Sequence, residues 1–180
     1  MDFKGPLEVE HRRVFPFAVL DDHSRYLLTL APCLDCTMQT AWDLLGHAFA
    51  EAGLPQAILS DNAFGTRGQN ALGVSWFEAR LIRRGIHSWH GRPYHLQTQG
   101  KVERFNGTLQ RELWPRARRD SLAHFRADLQ HWRTEVYNLV RPHEALADCP
   151  PSSAGAPVPG PARPRYPPSA TPPGRYSARS

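Results

Sequence analysis

Three carboxylates in this 180-residue sequence fall where they could share a site. Asp61 ends the apolar run QAILSD, Asp2 lies in or beside the short run MDFKG, and Glu103 lies in QGKVERFNGTL. A buried strand ending in an acid delivers it to the C-terminal edge of a sheet, where ligands of open α/β sheets gather. Three acids on separate elements that converge at one edge form an oxygen cage for Mg²⁺. A pair of such ions can activate a water or a 3′-hydroxyl and stabilise the leaving oxygen of a phosphodiester. Ordinary roles compete with this chemistry. Asp61-Asn62 is common turn material, Glu early in a helix is favoured by the dipole, and Asp21-Asp22 is a rival acid pair at a hairpin turn.

A second metal chemistry has less behind it. The cysteines are Cys33, Cys36 and Cys149, and CLDC is a lone CxxC. A structural zinc site needs four ligands, and no second CxxC is present. His87, His90 and His95 would have to complete it, so incidental small residues are the plainer reading.

Charge is distributed unevenly. Residues 80–119 hold ten Arg or Lys against two acids, whereas residues 1–79 hold five against ten. An acid-rich half followed by a basic block fits a protein that holds metal ions at one place and a polyanion beside it. Solvated helix faces on an arginine-rich chain are the ordinary alternative. No apolar run is long enough to span a membrane, and MDFKGPLEVE has no signal-peptide core, so a cytoplasmic protein is the default.

Elements must position these residues. VFPFAVLDD and RYLLTLA, joined by HS, predict a hairpin. MDFKG predicts a very short strand ahead of it, and LEVEHRR a polar connection. Thr37 to Ala52 places Ala41, Leu45, Ala48 and Ala52 at helical spacing, stopped by Gly53 and Pro55. QAILSD predicts a buried strand, IHSWH another short strand, NAFGTRGQNALG a loop, and VSWFEARLIRR a second helix ended by Gly85. A third helix is expected from near Gly100, with Val102, Phe105, Leu109 and Leu113 as its apolar stripe. Glu103 then falls in its first turn. At about 100° per residue, Glu103 shares a flank with Asn106 and Gln110, while Lys101, Arg104 and Arg111 lie on the opposite flank. A fourth helix is expected from Ser121, a plausible N-cap, to Val140, with Leu122, Phe125, Leu129, Trp132, Val136 and Leu139 as its seam. Ten of the seventeen prolines fall in 150–173, a composition that cannot bury a core. The order predicts an α/β domain over 1–153, with helices on a mixed sheet, and a Pro/Arg-rich disordered tail over 154–180.

DFKG, FAVLDDHSRY, GLPQAILSDNAFG, HGRPYHLQTQGKVERFNGTLQRE and YNLVRPHEAL occur in that order. Together they resemble the integrase catalytic core of bacterial insertion-sequence transposases, the DDE group related to retroviral integrases. The resemblance covers residues 1 to about 153. It implies an RNase H-like fold with helices on both faces of a mixed sheet, and a DDE triad of Asp2, Asp61 and Glu103. It further implies two Mg²⁺ (or Mn²⁺) ions, nicking at transposon ends and strand transfer into target DNA, with the protein working as a homo-oligomer. Gln97, Gln99, Lys101 and Arg104 stand where the family faces DNA. Trp132, Tyr137 and RPHEAL look like packing of the last helix.

The sequence also departs from the family. A helix-turn-helix region precedes the core in such proteins, and here Met1 stands immediately before the first acid. The expectation is a C-terminal portion of a transposase, able to fold with reduced stability but impaired in transposition by itself. The Met1 ammonium is expected to pair with Asp2 and compete with metal. Ala63 replaces the usual Gly after SDN, and Leu96 the Pro expected after PYH. Two further readings share the fold: a non-catalytic DNA-binding or dimerisation fragment, and a nuclease acting on RNA–DNA hybrids. The QTQGKVERFNG stretch speaks against the nuclease.

Overall fold

A computed structural model of the chain describes residues 1–60, 64, 73–90 and 96–154, with backbone only at 90, 96–100 and 102. The central element is strand β3 (Arg12–Leu20). It pairs antiparallel with β1 (Asp2–Phe3), β2 (Leu7–Val9) and β4 (Leu27–Cys33). β5 (Ala57–Ser60) and β6 (His87–His90) form a parallel pair. The Met1 nitrogen donates to the Leu59 carbonyl at 2.9 Å and ties β1 to β5.

The hairpin β3–β4 and the short β1 lie where the sequence puts them. LEVEHRR does not: it is a strand, a two-residue turn and the start of β3. Glu10 and His11 both take positive φ, 52° and 58°, the backbone of a primed hairpin turn. Such turns favour Asn-Gly or Asp-Gly, so Glu-His carried no turn signal. Between Asp2 opposite Ala18 and Leu7 opposite Val14, five steps of one strand match four of the other. One extra residue is therefore accommodated around Gly5-Pro6, as in a bulge.

Side chains alternate across β3 and divide the core in two. Val14, Ala18 and Leu20 join the cluster under the later helices, and Phe17 and Val19 join the cluster under the earlier ones. On the Phe17 face lie α1 (Met38–Ala52) and α2 (Trp76–Arg83). Ala41, Leu45 and Ala48 of α1 are buried there, Thr37 caps its start, and Gly53 at φ 79° closes its end. Ser75 and Glu78 form a reciprocal capping box on α2.

On the Val14 face lie α3 (Leu96–Thr108) and α4 (Leu122–His131). α3 begins at Leu96, four residues before the expected start, because Gly100 sits inside the helix and does not open it. Each of these helices runs directly into a π-helical turn, Leu109–Leu113 after α3 and Trp132–Tyr137 after α4. The wider turn moves the seam of the last helix. Trp132 and Tyr137 are buried, while Leu139, expected on the seam, is half exposed. Helices thus cover both faces of the sheet. The polar run 155–180 and most of NAFGTRGQNALG lie outside the described residues.

Candidate active site

β1 positions Asp2. Directly opposed residues of an antiparallel pair project to the same face. Asp2 opposes Ala18, whose side chain packs with the α3–α4 cluster, and Phe3 opposes Phe17 on the other face. Phe3 anchors the strand there, with ring centroids 4.6 Å from Phe17 and 6.1 Å from Phe64. Asp2 therefore projects toward the side of the sheet on which α3 docks.

β5 leads to Asp61. Its partner contact from Met1 falls on Leu59, two residues earlier in the chain. Asp61 itself lies outside the described residues. Just beyond it, Phe64 is buried against Phe3 and Phe77, and its carbonyl accepts from Ser75 Oγ at 2.9 Å. The Met1 ammonium feels the Asp2 charge, as the sequence suggests, and its described hydrogen bond goes to β5. It donates to Leu59, burial holds its pKa below the usual amine value, and the Asp2 charge opposes that shift.

Glu103 is exposed and is the eighth residue of α3, not part of its first turn. The helix dipole therefore gives it no N-terminal explanation. Two positions on, Phe105 is buried; Leu109 follows it into the core. α3 is also tied at Lys101, whose Nζ lies 2.7 and 2.9 Å from the Asp22 carboxylate oxygens. Burial pushes the Asp22 pKa up, but Lys101 and Arg25 together outweigh it and hold the group below its ordinary value. Arg104 is exposed, with Glu144 at 3.9 Å. The backbone of Gln97 and Gln99 is helical, and their side chains lie outside the described residues. Of the rival acids, Asp21 accepts from both the backbone N and the Oγ of Ser24 at 2.7 Å, which is turn chemistry.

Among the described residues no group of three His, Cys, Asp or Glu side chains is placed to hold a metal ion. Cys33 is buried with its thiol pushed up to about 11, chiefly by burial. No helix among the described residues is long and apolar enough to cross a membrane.

Sequence reasoning missed the network behind α3. Arg141 reaches Glu112 at 3.0 Å and Thr108 Oγ1 at 3.3 Å, joining the segment after α4 to the end of α3. Buried Asn138 bonds both the N and the carbonyl of Leu27, at 2.9 and 3.1 Å. A polar residue at a seam position was the only available signal.

Residues 84–151 match the family model described as integrase core domain. The chain is similar to a chain of the simian T-cell lymphotropic virus intasome in complex with PP2A regulatory subunit B56 gamma. That match has a TM-score of 0.62 and 18% identity, over 98% of this chain and 59% of that one. It is similar also to the HTLV-2 integrase catalytic core domain in complex with magnesium, trimeric form. There the TM-score is 0.57 and the identity 15%, over 84% of this chain and 92% of that one. The chain thus spans about three fifths of the intasome chain it matches. The mixed sheet with helices on both faces is the RNase H-like fold, and residues 84–151 are the part that matches an integrase core domain.

Proposed function

We propose that this chain is the DDE core of a bacterial insertion-sequence transposase, with Asp2, Asp61 and Glu103 as its acids. The observation that carries the reading is the placement of β1. Asp2 projects to the side of the sheet on which α3, the helix that carries Glu103, docks, and β1 is tied to β5 two residues ahead of Asp61. The donor set fits hard divalent cations, being three carboxylates. Glu103 is exposed and in no ion pair with a described residue. Asp2, Asp61 and Glu103 would hold two Mg²⁺ or Mn²⁺ ions. When bound, the ions supply activation of a water or 3′-hydroxyl and stabilisation of the leaving oxygen. The protein's own share is positioning, since in-line displacement at phosphorus depends on fixed geometry.

DNA is the substrate in this reading, first at transposon ends and then at the target. Gln97, Gln99, Lys101 and Arg104 would face it from α3. Lys101 then exchanges Asp22 for phosphate, and Arg104 exchanges Glu144. Retroviral relatives solved as an intasome and as a trimer support a homo-oligomer as the working form. The test is metal-dependent nicking of supercoiled DNA by the chain and by Glu103→Gln. Nicking lost in the variant is expected. Nicking that persists at the same rate removes Glu103 from the triad. A chain that binds DNA but never nicks it, with either metal, would instead be a non-catalytic binding or dimerisation fragment.

A further inference from the structure

The face opposite α3 carries a cluster that the proposed reaction does not use. α1 contributes Trp42, α2 contributes Trp76 and Arg80, and Arg84 is the C-cap of α2. The Arg80 guanidinium lies 4.8 Å from the Trp76 ring centroid and 5.4 Å from that of Trp42. Arg84 lies 4.7 Å from the Trp42 centroid. Trp42 packs edge-on against Phe77, which is fully buried, so the core anchors the platform. Trp76 and Arg84 are nonetheless exposed.

Stacking holds a guanidinium flat while leaving its in-plane N–H groups directed outward. Cation–π attraction does not neutralise the charge. Among the described residues no carboxylate ion-pairs with Arg80, Arg83 or Arg84. Two of the acids on these helices have other partners. Asp43 accepts from Gln39 at 2.8 Å, and Glu78 caps the Ser75 backbone at 2.8 Å. One Arg84 N–H reaches the Arg80 carbonyl at 3.3 Å, and the remaining forks have no anionic partner among the described residues.

We propose that the Trp42–Trp76–Arg80–Arg84 surface grips the sugar-phosphate backbone of a second DNA segment, separate from the one on α3. Guanidinium forks with no anionic partner among the described residues match phosphate oxygens in geometry and charge. Charge complementarity favours DNA over a second copy of this patch, because a two-fold contact would set arginine against arginine. The inference rests on the reading of the chain as acting on DNA, and it adds a separate contact on the opposite face of the sheet.

The test is binding of a fluorescent DNA duplex across a salt series. Four proteins are compared: the chain, Arg80→Gln/Arg84→Gln, Gly46→Glu and Lys101→Ala/Arg104→Ala. Gly46 lies one helical turn from Trp42, and a Cβ there meets nothing within 4 Å, so Gly46→Glu adds an acid beside the patch without a clash. The double arginine variant is expected to flatten the log–log salt dependence by about 2, one unit per lost phosphate contact. Gly46→Glu is expected to weaken binding without lowering the melting temperature, since it replaces a glycine inside a helix. Salt dependence and affinity unchanged in both variants overturns the proposal. If DNA binding is unchanged but self-association shifts, the patch is a contact between copies and the proposal also falls. If only the Lys101/Arg104 variant weakens, this inference fails while the α3 reading stands. If the parent chain binds no duplex, both fail.

Discussion

The two faces of the β1–β4 sheet are built differently. The α1–α2 face uses regular helices with conventional ends: Thr37 and Ser75 at the starts, Gly53 and Gly85 after the ends. Its core is aromatic and apolar apart from the buried Ser75 cap, and at its surface arginines lie on indoles. The α3–α4 face buries Thr108 and Asn138 and ends its helices in wider turns. Both helices pass into π-turns, and Asn138, Arg141, Glu112 and Thr108 hold the elements together by hydrogen bonds. π-turns inside helices occur frequently at functional sites. The face that would carry chemistry is thus the one whose separate elements are joined by polar side-chain contacts, whereas the other relies more on packing, with its polar contacts at helix ends.

That contrast can be broken in graded steps. Phe125→Ala and Phe77→Ala remove fully buried rings from opposite faces. Each is expected to lower unfolding free energy by about 3–5 kcal/mol in chemical denaturation. If the faces share one cooperative core through β3, both variants keep a single transition. Two separated transitions would divide the molecule into independent halves.

Asn138→Leu is expected to cost about 1–3 kcal/mol, because it strips the Leu27 N–H and carbonyl of their partner in a buried place. A change near zero would mean that the polar fastening of this face is dispensable.

Acid should act on the α3–α4 face through His143. Its ring lies 4.9 Å from that of Tyr137, and its Nε2 is buried with no partner among the described residues. Burial first, then Arg141 and Arg25, hold its pKa below the ordinary value. A histidine depressed in the folded state is protonated more readily when unfolded. Its stabilising contribution is therefore present above about pH 6.5 and lost as pH falls through the folded value. Urea midpoints at neutral and mildly acid pH should differ less in His143→Gln than in the parent. An equal acid response in both would remove His143 from the effect.

The smallest effect is expected at Lys101→Met. The pair with Asp22 is largely exposed, so it should contribute under about 1 kcal/mol to stability. Loss of DNA binding without loss of stability would place Lys101 in recognition. The reverse would make it a tie between α3 and the hairpin.

Legibility in the sequence follows the same division. α1 was readable because apolar spacing, cap and glycine stop agree at every level. The β3–β4 hairpin, β5 and β6 were readable as strands, although β5 alternates exposed and buried residues and is not buried throughout. β2 was hidden because Glu10-His11 adopts a turn that its residue types do not advertise. α3 began early because Gly100 was read as an opening, although a glycine inside a helix carries only a modest penalty. The seam failed at Leu139 because a 3.6-residue period cannot anticipate a π-turn, which brought Tyr137 inward instead. The acids were readable as types and order. Which face Asp2 takes depended on its register against Ala18, a tertiary fact with no local signal.

The most direct measurement is thermal stability of the chain against Mg²⁺ and Mn²⁺ concentration, alongside Asp61→Asn and Glu103→Gln. A ligand that binds only the folded state raises the melting temperature as its concentration rises. If Asp2, Asp61 and Glu103 form one site, the parent rises with metal and both variants stay flat. A cooperative melt in the parent that ignores both metals would contradict the shared site.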